Sequence, residues 1–232
     1  MSKDYGQFCG LANAATVLGE RWALLLVRDL SVGPRRFKEL HEGLPGIPTS
    51  VLTTRLRELE TAGIAQRQIA DSAQRGVVYA LTPYGEQLAP ILDALGRWGA
   101  QRMTAPGPDD VITSASLAAA LRSGYQPNVL TSPTTYTVQA GVAAAWARAY
   151  GSEIEVGTDT SDVVADVTIQ AGPELRLLLA GKHSASEALA AGTVAVTGAA
   201  NALETFSQVF HVPLDNSEVL SESSFISKGQ PS

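Results

Sequence analysis

The sequence contains a single cysteine, Cys9, and only three histidines in 232 residues. One thiol excludes an intramolecular disulfide and fits a reducing compartment. His41, His183 and His211 lie far apart and share no metal-ligand spacing with Cys9, so no metal site is expected. No apolar run approaches the roughly 18 residues of a membrane-spanning helix. Residues Met1 to Gln7 lack the basic-then-apolar order of a secretory leader. A cytoplasmic protein with no membrane partner is the expectation. Glycine-rich phosphate loops and nucleophile elbows are also missing, so catalysis is not expected and no cofactor is implied. Charge is sparse too, at 17% of residues and a net of −6, while 45% of residues are hydrophobic. A disordered chain would show the reverse balance.

What charge there is falls unevenly. Residues 1–103 carry 12 Lys and Arg against 10 Asp and Glu, a net of +2, whereas residues 104–232 carry 5 against 13, a net of −8. The change comes at Thr104-Ala-Pro-Gly-Pro-Asp-Asp110, whose prolines and glycine cannot continue a helix and read as a linker. Two domains are therefore expected.

In the first, Leu11–Leu18 and Trp22–Leu30 show helical apolar spacing, and Gly33-Pro34 ends the second segment. A short helix carrying Phe37 and Leu40 follows, and another opens near Pro48–Thr49. Leu52, Leu56 and Leu59 line one side of that last helix, at i, i+4 and i+7. Ser50, Thr53, Thr54, Arg57 and Thr61 gather on the other. Hydroxyl residues are poor helix formers, so their concentration admits two readings: capping near a helix start, or contact with base edges and phosphates in a major groove. Downstream, Ile64–Ala70 and Val77–Leu81 alternate as strands around a loop, Asp71 to Gly76, that carries Arg75. Helix, turn, helix and hairpin make a winged helix-turn-helix, with one helix for the groove and the hairpin loop for the flanking backbone. Arg35 and Arg36, at the start of the preceding helix, are candidate phosphate contacts, and Arg55 flanks the groove side of the later one.

Six ordered segments carry a resemblance. They are Cys9-Gly-Leu-Ala12, Val17-Leu-Gly-Glu-Arg-Trp22-Ala-Leu-Leu-Leu-Val-Arg28, Gly33-Pro-Arg-Arg-Phe37-Lys-Glu-Leu40, Gly46-Ile-Pro-Thr-Ser-Val-Leu-Thr-Thr-Arg-Leu-Arg-Glu-Leu59, Tyr79-Ala-Leu-Thr-Pro-Tyr-Gly85 and Leu95-Gly-Arg-Trp98. Residues 9–103 resemble the HxlR family of bacterial transcriptional regulators. The resemblance implies a homodimeric winged-helix protein that binds double-stranded DNA, with the helix from Thr49 as recognition helix and the hairpin as wing. The segment from Tyr84 to Met103 spaces Leu88, Ile91, Leu95 and Trp98 at three- and four-residue steps and contains Pro90, which should kink or split it. One reading of this face is the domain's own core; the other, favoured by so wide an apolar face beside a linker, is a partner surface, and the family uses this helix to dimerise. A two-fold dimer would match a pseudo-palindromic operator. In some relatives a cysteine matching Cys9 senses oxidants, although free cysteine is more often a buried packing residue.

In the second domain, Tyr136–Ala140, Gly141–Tyr150, Glu153–Val156, Val163–Gln170 and Thr193–Thr197 read as strands. Gly141–Tyr150 is alanine-rich, yet its alternation has a period of two, which favours a strand over a helix. Glu174–Ala180, Ser184–Ala191 and Asn201–Val209 read as helices, with a capping box at Ser184 and Glu187 and an N-cap at Asn201. The segments Ala165-Asp-Val-Thr-Ile169, Leu178-Leu-Ala-Gly181-Lys182, Ser186-Glu-Ala-Leu-Ala-Ala-Gly192 and Val196-Thr-Gly198 resemble the sterol carrier protein (SCP-2-like) fold. That resemblance implies a small sheet covered by helices around an apolar pocket, with Trp146, Leu178 and Phe206 as candidate pocket residues or, more simply, core.

The expected fold class is α+β. A winged helix-turn-helix domain (residues 1–103) is followed by a linker and connecting helix (104–133), a small α/β SCP-2-like domain (134–212) and a polar tail (213–232). The expected function is a homodimeric, sequence-specific DNA-binding regulator controlled by a small hydrophobic ligand. The candidate DNA contacts are Arg35, Arg36, Thr49, Ser50, Thr53, Thr54, Arg55, Arg57 and Arg75. The alternative is a lipid- or hydrophobe-binding protein whose winged helix makes protein contacts only.

Overall fold

The computed structural model describes residues 5–70, 76–103, 106–107 and 109–214. The first half is four helices, α1 (Gly10–Leu18), α2 (Ala23–Leu30), α3 (Phe37–Gly43) and α4 (Thr49–Thr61), then an antiparallel hairpin of β1 (Ala65–Ile69) and β2 (Val77–Leu81). Leucines at helical spacing place one side of α2, α3 and α4 in a common core with Ile47, Ile64 and Leu81. Gly63, at φ +69°, lets the chain leave α4 and turn directly into β1. Arg35 adds a third rung to the hairpin, exchanging backbone hydrogen bonds of 2.8 and 2.7 Å with Tyr79.

The segment from Tyr84 splits, as Pro90 required. A single turn, α5 (Pro83–Glu86), is capped by the Thr82 hydroxyl, which accepts the Gly85 N–H at 3.1 Å. It is followed by α6 (Ala89–Ala100), with the proline in its first turn, where the missing N–H is harmless. Gly85 touches the chain after α4 so closely that a Cβ there would collide with the Ile64 carbonyl.

The second half opens with α7 (Ser114–Gly124). Its sheet comprises β3 (Thr134–Ala140), β4 (Ala143–Tyr150), β5 (Glu153–Gly157), β6 (Val167–Ala171) and β7 (Val194–Thr197), in the order β5-β4-β3-β6-β7. Only β3 and β6 run parallel; the other pairs are antiparallel. Helices α8 (Leu175–Leu179), α9 (Ala185–Ala190) and α10 (Ala202–Val209) complete it. The alternating reading of the alanine-rich segment holds. Ala143, Ala145, Ala147 and Ala149 are buried on one side of β4, beneath α7, while Arg148 and Tyr150 point the other way. Tyr136, Phe206 and Phe210 form an aromatic cluster with ring centroids 5.0–5.7 Å apart.

Three local expectations are corrected. Ordered strand begins at Val167 rather than Val163, because the preceding chain is held differently: the Asp166 carboxylate accepts the Thr135 N–H at 2.7 Å, and Val164 is exposed. Asn201 makes no side-chain cap, since its backbone is not in the extended cap conformation. Helix α7, expected only as a connector, buries Leu117, Ala118 and Leu121 in the same core as the sheet.

Helix α7 also joins the halves. Arg122 donates to Asp93 of α6 from Nε and Nη2 at 3.0 Å, and to the Ser31 carbonyl and hydroxyl at 2.9 and 3.0 Å. Both charged side chains are largely shielded from solvent, so the clamp lies inside the seam. No helix among the described residues is long and apolar enough to cross a membrane.

Candidate nucleic-acid interface

Helix α4 is sharply two-sided. Leu52, Leu56 and Leu59 are buried, whereas Thr49, Ser50, Thr54 and Arg57 are exposed and Thr53 is half-buried. The hydroxyls do not cap the helix. Pro48 occupies the cap position, and Thr53 and Thr54 each donate to the carbonyl four residues back, at 2.8 and 2.9 Å. Each hydroxyl proton is thus occupied while the oxygen lone pairs and methyl group face outward, a surface suited to base amino groups and thymine methyls. Arg57 projects from the same side one turn later.

The other cations separate into two groups. The Arg36 guanidinium lies against Gly76, where the hairpin loop rejoins β2, so it sits at the base of the wing. Arg75 falls outside the described residues. Arg55 is a correction: it donates to Glu20 at 2.7 Å and to Glu58, and its side chain is largely covered. Its direction on the helix points at α1's trailing loop, not at the groove side. Arg35 is a second correction. Its guanidinium turns toward the second half; burial pulls its pKa down, while Glu39, Asp29 and Asp159 pull it back up. Neither arginine is placed for phosphate. Exposed Gln66, Arg67 and Gln68 on β1 were not anticipated, and Arg67 is paired with Glu60 at 2.7 Å. Their signal was a strand with one buried residue and four outward ones.

A second surface is apolar. On α6, Ile91, Leu95 and Trp98 are 59%, 43% and 68% exposed, with Leu88 half-buried beside them. Phe8 and Leu11, at the start of α1, are also fully or mostly exposed, and α1 buries no residue of its own. These N-terminal residues were not anticipated, because a short amphipathic segment reads the same whether its partner is its own chain or another. Cys9, for which burial is the commoner fate, is exposed at the N-cap of α1. Hydrogen bonds from the Ala12 and Leu11 backbone N–H groups hold its thiol below the usual value.

The candidate pocket residues do not converge. Leu178 and Phe206 are packed within the core, while Trp146 lies on the opposite side of the sheet with its indole over Gly157. Among the described residues, no group of three or more His, Cys, Asp and Glu side chains could hold a metal ion.

Comparison with known proteins bears on the first half. The profile of the HxlR-like helix-turn-helix family matches residues 17–106. The HTH-type transcriptional regulator sll1512 of Synechocystis is 33% identical over 125 residues, which are 54% of this chain and 86% of that protein. The chain belongs to the HxlR family. Two Bacillus subtilis members are similar to it as well. YvaP is 36% identical over 38% of this chain and 82% of its own length, and YodB is 36% identical over 39% and 81%. Both are named HTH-type transcriptional regulators. The HxlR match ends before α7, so the sheet half is an addition to the part shared with the family.

Proposed function

We propose that this HxlR-family regulator acts as a homodimer on a pseudo-palindromic operator, with α4 of each subunit in a major groove. The observation that carries the reading is the exposed side of α4. Ser50, Thr54 and Arg57 stand clear of a helix whose leucines are fully buried, so the hydroxyl oxygens and the guanidinium face outward to meet base edges. Thr49 and Thr53 flank them, and Arg36 and Arg75 at the wing hold phosphates. The exposed row Ile91, Leu95 and Trp98 supports α6 as the subunit contact, with Leu88 at its edge. Two recognition helices about 34–36 Å apart would then read half-sites roughly 10 bp apart. The second half is read as an SCP-2-like scaffold, supported by a mixed sheet with its apolar core on one side, and its effector is a small molecule. Cys9 is read as a reactive thiol at a helix start. The cytoplasm is the compartment that fits a DNA partner.

Fluorescence anisotropy with a duplex from the protein's own upstream region, beside an unrelated duplex, tests the reading. Arg57→Ala should weaken the specific complex by about 1–3 kcal/mol and leave the unrelated duplex nearly unchanged. Arg36→Ala should weaken both and shallow the salt dependence. Wild-type affinity in a Ser50→Ala/Thr54→Ala/Arg57→Ala variant would remove α4 from the interface. Trp98→Asp should shift the protein toward monomer in light scattering, with an effect of about 2 kcal/mol or more on association. An unchanged dimer would place the subunit contact elsewhere.

A further inference from the structure

Between the winged half and the sheet half lies a cavity of about 300 Å³. Its wall takes Asp29 from α2, Arg35 and Glu39 from around the start of α3, Val111 from the approach to α7, Ala115 from α7 itself, and Val142 from the β3–β4 turn. That volume is at the small end of small-molecule sites, which run to about 1,000 Å³.

Two polar groups of this wall bear on what the cavity can hold. Asp29 is 2% exposed, and its Oδ1 accepts both hydrogen bonds from Arg28, at 2.8 and 2.7 Å. Its Oδ2 accepts none among the described residues. Gly43, also in the wall, leaves Oδ2 reachable; a Cβ there would stand 3.0 Å from it. Opposite in charge, Arg35 has a buried Nε with no acceptor. A buried polar atom left unpaired is costly and is rare in native proteins, so the Arg35 Nε beside a carboxylate oxygen reachable from the cavity is informative. The surrounding charge is unbalanced. Among the charged side chains that line the cavity, three carboxylates, Asp29, Glu39 and Glu42, face one guanidinium, Arg35, while Arg28 and Lys38 pair with Asp29 and Glu42 from outside it. The remaining wall is the hydrocarbon of Val111, Ile112, Ala115, Val142 and Ala143, with Thr113 and Ser114, whose hydroxyls already accept the Ser116 and Ala144 N–H groups.

We propose that this seam is a binding site for a small primary amine that carries an acceptor oxygen on a compact apolar body. The ammonium group donates to Asp29 Oδ2 among the lining carboxylates, the oxygen accepts from Arg35 Nε, and the body lies against Ala115 and Ala143 with Val142 at the mouth. Anionic ligands would meet surplus carboxylate, and a plain hydrocarbon would pair with neither polar atom. Burial holds the Asp29 carboxyl above its ordinary value even beside Arg28, the signature of a charge that gains from a further partner. The site draws its walls from both halves, so its occupancy is linked to their relative setting. Any effect on operator affinity rests on the proposed DNA reading, but the binding itself does not.

Isothermal titration calorimetry of the full chain with phenylalaninol, which joins an ammonium, a hydroxyl and a benzyl group, tests the site. One saturable site per chain is expected, with 3-phenylpropanol and 3-phenylpropionate about tenfold weaker or worse. Asp29→Asn should lose about tenfold in affinity. Should that variant fold poorly, Val142→Arg serves instead: Val142 is 95% exposed at the cavity mouth, so the substitution adds a repelling charge without disturbing a core. Absence of saturable binding, equal binding of the three compounds, or wild-type affinity in Val142→Arg would overturn the proposal. Phenylalaninol binding that depends on Asp29 in a protein that fails to retain its upstream duplex would refute the DNA reading and support the site.

Discussion

In the winged half the core consists of long side chains on helices: Leu26, Leu40, Leu52 and Leu56 are each at most 1% exposed. In the sheet half the layer beneath α7 is four alanines, Ala143, Ala145, Ala147 and Ala149, each at most 2% exposed. One core is built from volume and the other from close approach. The surfaces differ in the same sense. The winged half leaves Ile91, Leu95 and Trp98 outside, whereas Phe206 and Phe210 of the sheet half are turned fully inward. Exposed apolar side chains occur in the sheet half too, at Val142, Tyr150, Val164 and Leu189; particular to the winged half is their row along one helix. The seam between them carries the buried Asp29 carboxylate and the unpaired Arg35 Nε.

The contrast breaks most directly by changing volume in opposite directions. Leu56→Ala should lower stability by about 2–5 kcal/mol, because the helices around it close only partly over the lost atoms. It should also remove duplex binding, since α4 loses its seat. In the sheet half the damaging change is growth. Ala147→Leu should cost about 1–3 kcal/mol by forcing α7 away from β4. Denaturant unfolding of the two variants checks both. If Ala147→Leu is as mild as a surface change, the alanine layer is not a close-packed contact.

A smaller effect sharpens the boundary between the regions. Arg122→Ala removes the donors that bind α7 to Asp93 and Ser31, and leaves the Asp93 carboxylate without its cation. A hydrogen bond to a charged group is worth about 1.5–3 kcal/mol, so a loss in that range is expected. Its character matters more than its size: calorimetric unfolding should separate into two transitions, one per half. A single transition at the wild-type temperature would mean that the halves do not depend on this clamp.

Much of this organisation was legible in the sequence wherever pattern and geometry share a period. The leucine and hydroxyl sides of α4 follow from 3.6-residue spacing, and the β4 alternation overrode the helix propensity of alanine because burial, not propensity, decides the face. The capping box at Ser184 formed as spelled, with the Glu187 N–H donating to the Ser184 hydroxyl at 3.2 Å. The errors concern partners and burial that only folding supplies. Arg55 could not be assigned without knowing that Glu20, 35 residues earlier, would sit beside it. Arg35 likewise could not be assigned without knowing that it would be partly buried beside Glu39 and Asp29. The importance of α7 was hidden because a helix of Ala and Ser has no apolar stripe strong enough to distinguish a connector from a core element.

The two halves also hold titratable groups that move in opposite directions, and this gives the most local test of the comparison. Tyr136 lies in the aromatic cluster of the sheet half. Burial, followed by Asp166 and then Tyr125, pushes its phenol up to about 12. The neutral form is the one the fold accepts. Its contribution to stability is therefore complete below the unfolded value of about 10 and is lost as pH rises from there toward 12. Ultraviolet titration should show one phenol that ionises after the others, and Tyr136→Phe should abolish that late step. Cys9 in the winged half is exposed, and the Ala12 and Leu11 backbone N–H groups at the helix start hold its pKa below that of an ordinary thiol. Its alkylation rate should reach half-maximum at a lower pH than that of a free thiol, and Cys9→Ser should leave the fold untouched. A thiol that titrates at the ordinary value would show that the Ala12 and Leu11 N–H groups do not hold its anion in solution.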